Sequence, residues 1–440
     1  MMKVQVISRE NIQPLSPTPN HLKKFNLSLL DQLIPAPYAP IVLFYPNLND
    51  VRVCEKSTLL KKSLAQTLSS FYPLAGRFKD ELSIDCNDQG VNYVTTNVNS
   101  HLIDFLNEPN LESIGQFLPC QPPFKELGAG DCVTNIQMNV FKCGGIAIGL
   151  CIAHKVLDGA GLSTFLKNWA GLIQCPNLMA NYFFPAEDLW LRDTSMTMWS
   201  SIFKKGNFVT KRFVFNDSAI DNLKRMSTSP HIKYPTKVEV VSSFIWKCLI
   251  AASKEKNCSN KSCNSLLTHI VNLRKRAAPA LPENILGNLI WISSAKNTAK
   301  RDMKLPDLVN KVKKSISRID DCYIKRLRSD EGCSLMRKSL KEIGDFCSKG
   351  ANHYGFSSWC KFGFYDIDFG FGKPIWVSTI SSKCSFFMNL IILMESSACV
   401  DGIEAWVTLD EEEMNMLVGN QELLVFASID PSPLPLYLPR

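Results

Sequence analysis

Two short runs in this chain carry the residue types that chemistry needs. The first is His154-Lys-Val-Leu-Asp158-Gly159; the second, more than two hundred residues later, is Asp368-Phe-Gly-Phe-Gly372, followed by Lys373-Pro374. Moving an acyl group from a thioester to a hydroxyl needs a base to take the hydroxyl proton as oxygen attacks the carbonyl. It then needs an acid for the departing thiolate. One histidine can do both, because an imidazole titrates near about pH 6.5. Asp158, four residues on, has two roles open to it: it can hydrogen-bond the ring, or turn away and hold the loop by pairing with a cation elsewhere.

His-x-x-x-Asp alone is a weak signal in a chain with six histidines, and a buried structural histidine accounts for it too. A metal site built from Cys151, His154 and Asp158 is the third reading. Residues three apart on a strand point to opposite faces, which argues against it. The second run contains Asp-Phe-Gly, the magnesium-binding turn of protein kinases, but the chain lacks the Gly-rich and His-Arg-Asp loops that must accompany it. Gly370 and Gly372 around Phe371 suit instead a turn with unusual backbone angles, stiffened at its exit by Pro374, so Asp368 reads as structural. Neither a Gly-x-Ser-x-Gly elbow nor a P-loop is present.

The elements that would position His154 are legible around it. Ile136 to Phe141 and Ile146 to Ala153 read as strands joined at Cys143-Gly144-Gly145. The second strand carries Ile146, Ile148, Leu150 and Ile152 on one side and Ala147, Gly149, Cys151 and Ala153 on the other, so it is buried on both faces. Its small side lets another element come close. His154 follows where the strand ends, and Asp158 can cap a helix running from about Gly161 to Leu172.

Upstream, Ile41 to Tyr45 reads as a strand and Thr58 to Phe71 as a helix. Periodicity dissolves between about Gln174 and Asn207, which marks an interdomain crossover. Beyond it, Val209 to Phe215 alternates like a strand, Asp217 starts a short helix, and Thr236-Lys-Val-Glu239 is a capping box for a helix with Val241, Phe244, Ile245, Cys248, Leu249 and Ala252 as its stripe. Phe386 to Met394 and Ile403 to Thr408 read as paired strands, and a final helix begins at Asp410.

Composition limits the function classes. With 440 residues, 45% hydrophobic and 20% charged, the chain is an ordinary globular one with room for two domains. No apolar run reaches the roughly 18 to 20 residues of a membrane span, and the start lacks an apolar signal region, so a soluble, cytoplasmic protein is expected. The sixteen cysteines show no regular spacing, which suits small buried hydrophobes in a reducing compartment better than disulfides or zinc. The net charge of +8 is densest from Lys300 to Arg328. There a stripe of Leu305, Leu308, Val309, Val312 and Ile316 predicts an amphipathic helix with a solvated basic face. A second reading is attraction of a phosphorylated small molecule. Few aromatics accompany the patch, so nucleic acid is not expected as a partner.

Ordered motifs along nearly the whole chain resemble the BAHD acyl-CoA-dependent acyltransferases of plant specialised metabolism. They are Ser16-Pro-Thr-Pro19, Tyr72-Pro-Leu-Ala-Gly-Arg77, His154 to Gly159, Val271-Asn-Leu-Arg274, Gly287-Asn288, Asp368 to Gly372 and Gly402-Ile-Glu-Ala-Trp406. Ser358-Trp-Cys360 and Lys373-Pro-Ile-Trp376 resemble the branch that contains vinorine synthase and salutaridinol acetyltransferase. One departure is plain: the family's second motif usually reads Asp-Phe-Gly-Trp-Gly, and Phe371 stands at the tryptophan, which removes an indole N–H and keeps an aromatic. Activity is expected to survive.

The resemblance implies an α/β fold of two similar domains, each a mixed sheet with flanking helices as in chloramphenicol acetyltransferase, with a channel between them. The first domain would comprise residues 1–184 plus about 369–387, then a crossover at about 185–207, and the second about 208–368 plus 388–440. It implies His154 as general base, Asp158 turned toward Arg274, and Asp368, Gly370, Phe371 and Gly372 as a structural motif outside the reaction centre. CoA contacts are expected at Asn272, Arg274 and Ser242, with no metal and no tightly bound cofactor. The expected activity is O-acetyl transfer from acetyl-CoA to a small-molecule alcohol of alkaloid or terpenoid type, by a monomer and without an acyl-enzyme. A longer aliphatic or aromatic acyl donor with an alcohol or amine acceptor, or a non-catalytic metabolite-binding relative, are the alternatives.

Overall fold

A computed structural model describes residues 2–34, 38–48, 51–120, 127–175, 204–230, 232–256, 264–282, 284–298, 303–379 and 386–434. In chain order its strands are β1 (Val4–Ile12), β2 (Lys24–Asn26), β3 (Tyr38–Tyr45), β4 (Arg77–Phe78), β5 (Ser83–Asp85), β6 (Val91–Val98), β7 (Thr134–Phe141), β8 (Ile146–Ala153) and β9 (Lys204–Lys205). There follow β10 (Phe208–Phe215), β11 (Ser265–Asn272), β12 (Ile290–Asn297), β13 (Asn352–Ser358), β14 (Trp376–Ser378), β15 (Phe386–Phe387), β16 (Leu390–Glu395), β17 (Ile403–Asp410) and β18 (Ser428–Ile429).

Two mixed sheets dominate. One has six strands in the order β1-β6-β7-β8-β3-β14, the other seven in the order β12-β11-β13-β16-β17-β10-β18. In the first, β6 and β7 run parallel; in the second, β13 runs parallel to both β11 and β16. The fold is thus α/β with two sheet-containing halves, as expected.

Every residue of β8 is buried, which its two apolar faces require. The small side does admit a close neighbour: a Cβ on Gly149 would lie 2.0 Å from the Phe117 carbonyl oxygen, so only glycine fits there. The helix Gly159–Gln174 lies over the first sheet with Leu162, Phe165, Leu166 and Trp169 inward. In the second half the capping box forms as read, with Glu239 accepting from the Thr236 N–H at 2.8 Å and the Glu239 N–H donating to Thr236 Oγ1 at 3.2 Å. The helix it opens, Lys237–Lys256, buries the whole expected stripe and also Val240 and Trp246.

The chain after residue 363 serves both halves. Phe364, Phe369, Phe371 and Trp376 join the core of the first sheet, and β14 pairs antiparallel with β3. β15, in contrast, pairs with β9. Of the predicted crossover, residues 185–203 lie outside the described residues; Lys204–Lys205 are strand. The basic segment forms two helices, Leu305–Ser317 and Asp321–Leu327, because Ile319 turns inward and Asp320 caps a new helix there. The helix predicted from Thr58 starts earlier, at Val53: its polar first turn has no apolar stripe to announce it. Asp410 caps Glu411–Val418 as read, but a further helix, Gln421–Phe426, follows. Among the described residues no helix is long and apolar enough to cross a membrane.

Candidate active site

A cavity of about 260 Å³ opens between the two sheets. Tyr38, Pro40, His154 and Asp158 border it from the first half, and Thr268, Ile292, His353 and Leu390 are among its residues from the second. The end of β8 aims the chain at this gap, and the turn after it presents His154.

Asp158 takes the second of its two roles. Its Oδ1 caps the helix Gly159–Gln174 by accepting the Gly161 N–H at 2.8 Å. Its Oδ2 reaches into the other half, accepting from Arg274 Nη1 at 2.7 Å and from the Leu289 N–H at 3.0 Å. No hydrogen bond joins it to the imidazole, and the carboxylate is buried. Arg274 is fully occupied as well: beyond Asp158 it donates to the carbonyls of Ile285 and Gly287 at 3.1–3.2 Å. The pair is 116 residues apart in sequence and joins the two halves.

His154 is held by its backbone. Asn288 Nδ2 donates to the His154 carbonyl at 2.8 Å and to Asp31 Oδ1 at 2.9 Å, while the Asn288 N–H also donates to Asp31 Oδ1 at 2.8 Å. Asp31 Oδ2 accepts from the N–H and hydroxyl of Ser28. Burial pushes the Asp31 carboxyl up to about 6 against the hydrogen bonds from Ser28 and Asn288 that favour its ionised form. The His154 ring is also desolvated; this lowers its pKa, and its own backbone, the Asp158 charge and Asn288 offset the effect only in part. Its Nδ1 is buried without a hydrogen-bond partner. Across the cavity, His353 Nε2 bonds Thr268 Oγ1 at 2.9 Å, and burial brings that ring down to about 4.

The second motif is a turn remote from the cavity lining. Asp368 Oδ1 accepts the Gly370 and Gly372 N–H groups at 2.8 and 3.0 Å, and both glycines have positive φ, 82° and 108°. Phe369 packs on Trp169 and Tyr45, and Phe371 on Tyr45 with ring centroids 5.4 Å apart. Lys56 Nζ lies 5.4 Å from the Phe371 ring centroid while donating to Asn47 Oδ1 and the Gly144 carbonyl.

The expected CoA contacts separate. Asn272 borders the cavity, but its Oδ1 accepts the Arg274 N–H. Arg274 donates to Asp158 and to the Ile285 and Gly287 carbonyls. Ser242 is fully buried within the helix Lys237–Lys256 and does not line the cavity. Arg274 and Ser242 are buried, and neither is among the residues that border this cavity. Sequence reading missed Asp31. The pattern Ser28-x-x-Asp31 is itself a capping box and would have located it, but nothing local says that its second oxygen serves Asn288. Among the described residues no group of three or more His, Cys, Asp or Glu is placed to hold a metal ion.

The chain is similar to known proteins along nearly its whole length. A model of the Transferase family matches residues 2–424. Epi-neemfruitin B 7-O-acetyltransferase of Melia azedarach is 41% identical, covering 98% of this chain and all of the relative. Limonoid 7-O-acetyltransferase of Citrus sinensis is 40% identical over the same shares of the two chains. The crystal structure of vinorine synthase superposes with a TM-score of 0.81 at 30% identity, covering 98% of this chain and 100% of that one.

Proposed function

This chain belongs to the Transferase family, the BAHD acyltransferases, and on that premise we propose that it is an acetyl-CoA-dependent O-acetyltransferase acting on a plant alkaloid or terpenoid-type alcohol. The observation that carries the reading is His154. Its ring borders a cavity between the two sheets, burial keeps it neutral and able to accept a proton near pH 7, and its neighbouring carboxylate is engaged elsewhere.

With Nδ1 sealed, Nε2 is the nitrogen left for chemistry. It takes the hydroxyl proton as the alcohol oxygen bonds to the thioester carbonyl carbon. When the C–S bond breaks, the thiolate takes that proton back, leaving an ester and free CoA thiol. Both substrates bind together, so the transfer is direct and the histidine returns to its neutral form. Asp158 and Arg274 position the loop without touching the reacting atoms. The same reading makes the protein a cytoplasmic monomer, which light scattering and a fluorescent fusion would check.

His154→Ala is expected to lower turnover about 10²- to 10⁴-fold in a thiol-release assay with acetyl-CoA and a good acceptor, with the fold intact by circular dichroism. A variant that keeps most of its turnover sinks the mechanism.

A further inference from the structure

The chain from Gln116 to Cys120 lies along the small face of β8. Gln137 Nε2 and Asn139 Nδ2 on β7 donate to the Gln116 and Phe117 carbonyls, each at 2.9 Å, and Gly149 has no room for a Cβ beside Phe117. On the same side of β8 as Gly149, Cys151 Sγ donates to the Cys120 carbonyl at 3.5 Å. The two thiols also hydrogen-bond each other. Both are free; Cys151 is buried and Cys120 only partly so.

Their environments divide the chemistry. The hydrogen bond from Cys151 holds the Cys120 thiol below its ordinary value despite desolvation, which gives Cys120 the thiolate character that attacks an oxidant. Burial, and then the Cys120 thiol beside it, push Cys151 well up, so it stays protonated. A partly exposed, activated thiol in contact with a buried partner is the arrangement of an attacking and a resolving cysteine. The pair also reaches the cavity. Cys151 lies opposite Pro40 and three residues before His154, and Tyr38 has its phenol raised by burial and further by the nearby Cys120. Pro40, Tyr38 and His154 all border the cavity.

We propose that Cys120 and Cys151 form a redox modification site, closed to a disulfide by hydrogen peroxide, and that closure lowers acyl transfer until a thiol reductant reopens it. The Cys120 thiolate attacks one peroxide oxygen, the O–O bond breaks, and hydroxide leaves with the proton that Cys120 gave up, as water. The Cys151 sulfur then attacks the Cys120 sulfur of the sulfenic acid; the S–O bond breaks, and the Cys151 proton departs with the hydroxyl as a second water. Two thiols lose two electrons and one peroxide gains them. An S–S bond of about 2.0 Å is shorter than a contact between thiols, so one backbone must give. Because β8 is held between β3 and β7, the Cys120 segment moves, and with it the packing beside Tyr38. The disulfide is independent of the acyltransferase reading; only its effect on turnover rests on that reading.

Peptide mapping of the full chain tests the site. The protein is treated with hydrogen peroxide, desalted, alkylated at its remaining thiols and digested without reductant. A linked Cys120–Cys151 peptide pair is expected, separated by dithiothreitol and absent from Cys120→Ser. Cys120 recovered as a free thiol, as a sulfinic acid or joined to Cys132 overturns the site, whatever the activity. Thiol release from acetyl-CoA with a terpenoid alcohol is expected to fall at least about threefold in the oxidised, desalted protein. It should recover once dithiothreitol has been added and removed, and Cys120→Ser should be insensitive to the treatment. A disulfide that leaves turnover unchanged overturns the switch. An untreated protein that releases no thiol removes the transfer reading and the effect on turnover with it, while the peptide map still decides the disulfide.

Discussion

Two buried arginine–carboxylate pairs, Asp158–Arg274 and Arg212–Glu404, have the same chemistry and different addresses. Their N···O distances are 2.7 and 2.9 Å, and their side chains expose 4% or less of their surface. The first joins the turn after β8 to the segment after β11, caps a helix and borders the cavity. The second crosses neighbouring strands β10 and β17 of one sheet. Its guanidinium lies 5.2 Å from the Trp376 ring and 5.9 Å from the Trp406 ring, donates to the Pro431 carbonyl, and leaves Nε without a hydrogen-bond partner. Neither Arg212 nor Glu404 lines the cavity. Burying two ions costs several kcal/mol each, and attraction repays it only where the remaining hydrogen bonds are filled. A pair of this kind is therefore not in itself a mark of chemistry. What distinguishes Asp158–Arg274 is that releasing it frees the turn that presents His154.

The comparison breaks most readily at Asp158. Asp158→Ala strands the Arg274 charge and uncaps the helix, so a stability loss of about 3–5 kcal/mol by urea unfolding is expected. Turnover per folded molecule should drop as well, by about tenfold or more, through misplacement of His154. Glu404→Ala should cost a similar 3–5 kcal/mol, roughly, with turnover per folded molecule unchanged. If both variants lose turnover alike, the distinction between the pairs is void.

The two regions also differ in what titrates. Because burial lowers the His154 pKa, the base is neutral at ordinary pH and becomes protonated only below the usual value of about 6.5. The kcat/KM profile should hold through neutrality and then fall about tenfold per pH unit on the acid side of His154's own pKa. The same depressed pKa contributes stability above about pH 6.5 that is lost as the pH falls toward the folded value. An acid limb centred above about 6.5 contradicts the placement of His154. The smallest effect belongs to Phe371→Trp, remote from the cavity: a stability change of about 1–3 kcal/mol from overpacking against Tyr45, at unchanged kcat. A shift in kcat without a shift in stability would connect the turn to the chemistry after all.

Much of the site was legible because it is local. The doubly apolar pattern of β8 demanded burial, Asp158 stood where a helix needed a cap, and the two glycines after Asp368 fitted a turn whose N–H groups its carboxylate collects. The Ser28–Asp31 box is equally local, but both residues lie far from His154 in sequence, so nothing along the chain links them to it. The extra helix at Gln421 and the earlier start at Val53 escaped for a different reason: those turns show too little apolar periodicity to announce themselves.

From its own sequence this protein determined which strands are buried, where helices begin, which turns need glycine, and which ordered motifs make it an acyltransferase. Those features depend on the covalent neighbours of each residue and on the periods of strand and helix. Only the tertiary structure decided that the second oxygen of Asp158 goes to Arg274, that Asn288 spans 257 residues to Asp31 while holding the His154 carbonyl, and that residues of both sheets border one cavity beside His154. Spacing along the chain fixes the direction of a side chain relative to its own element. Which distant group meets it depends on how the elements pack.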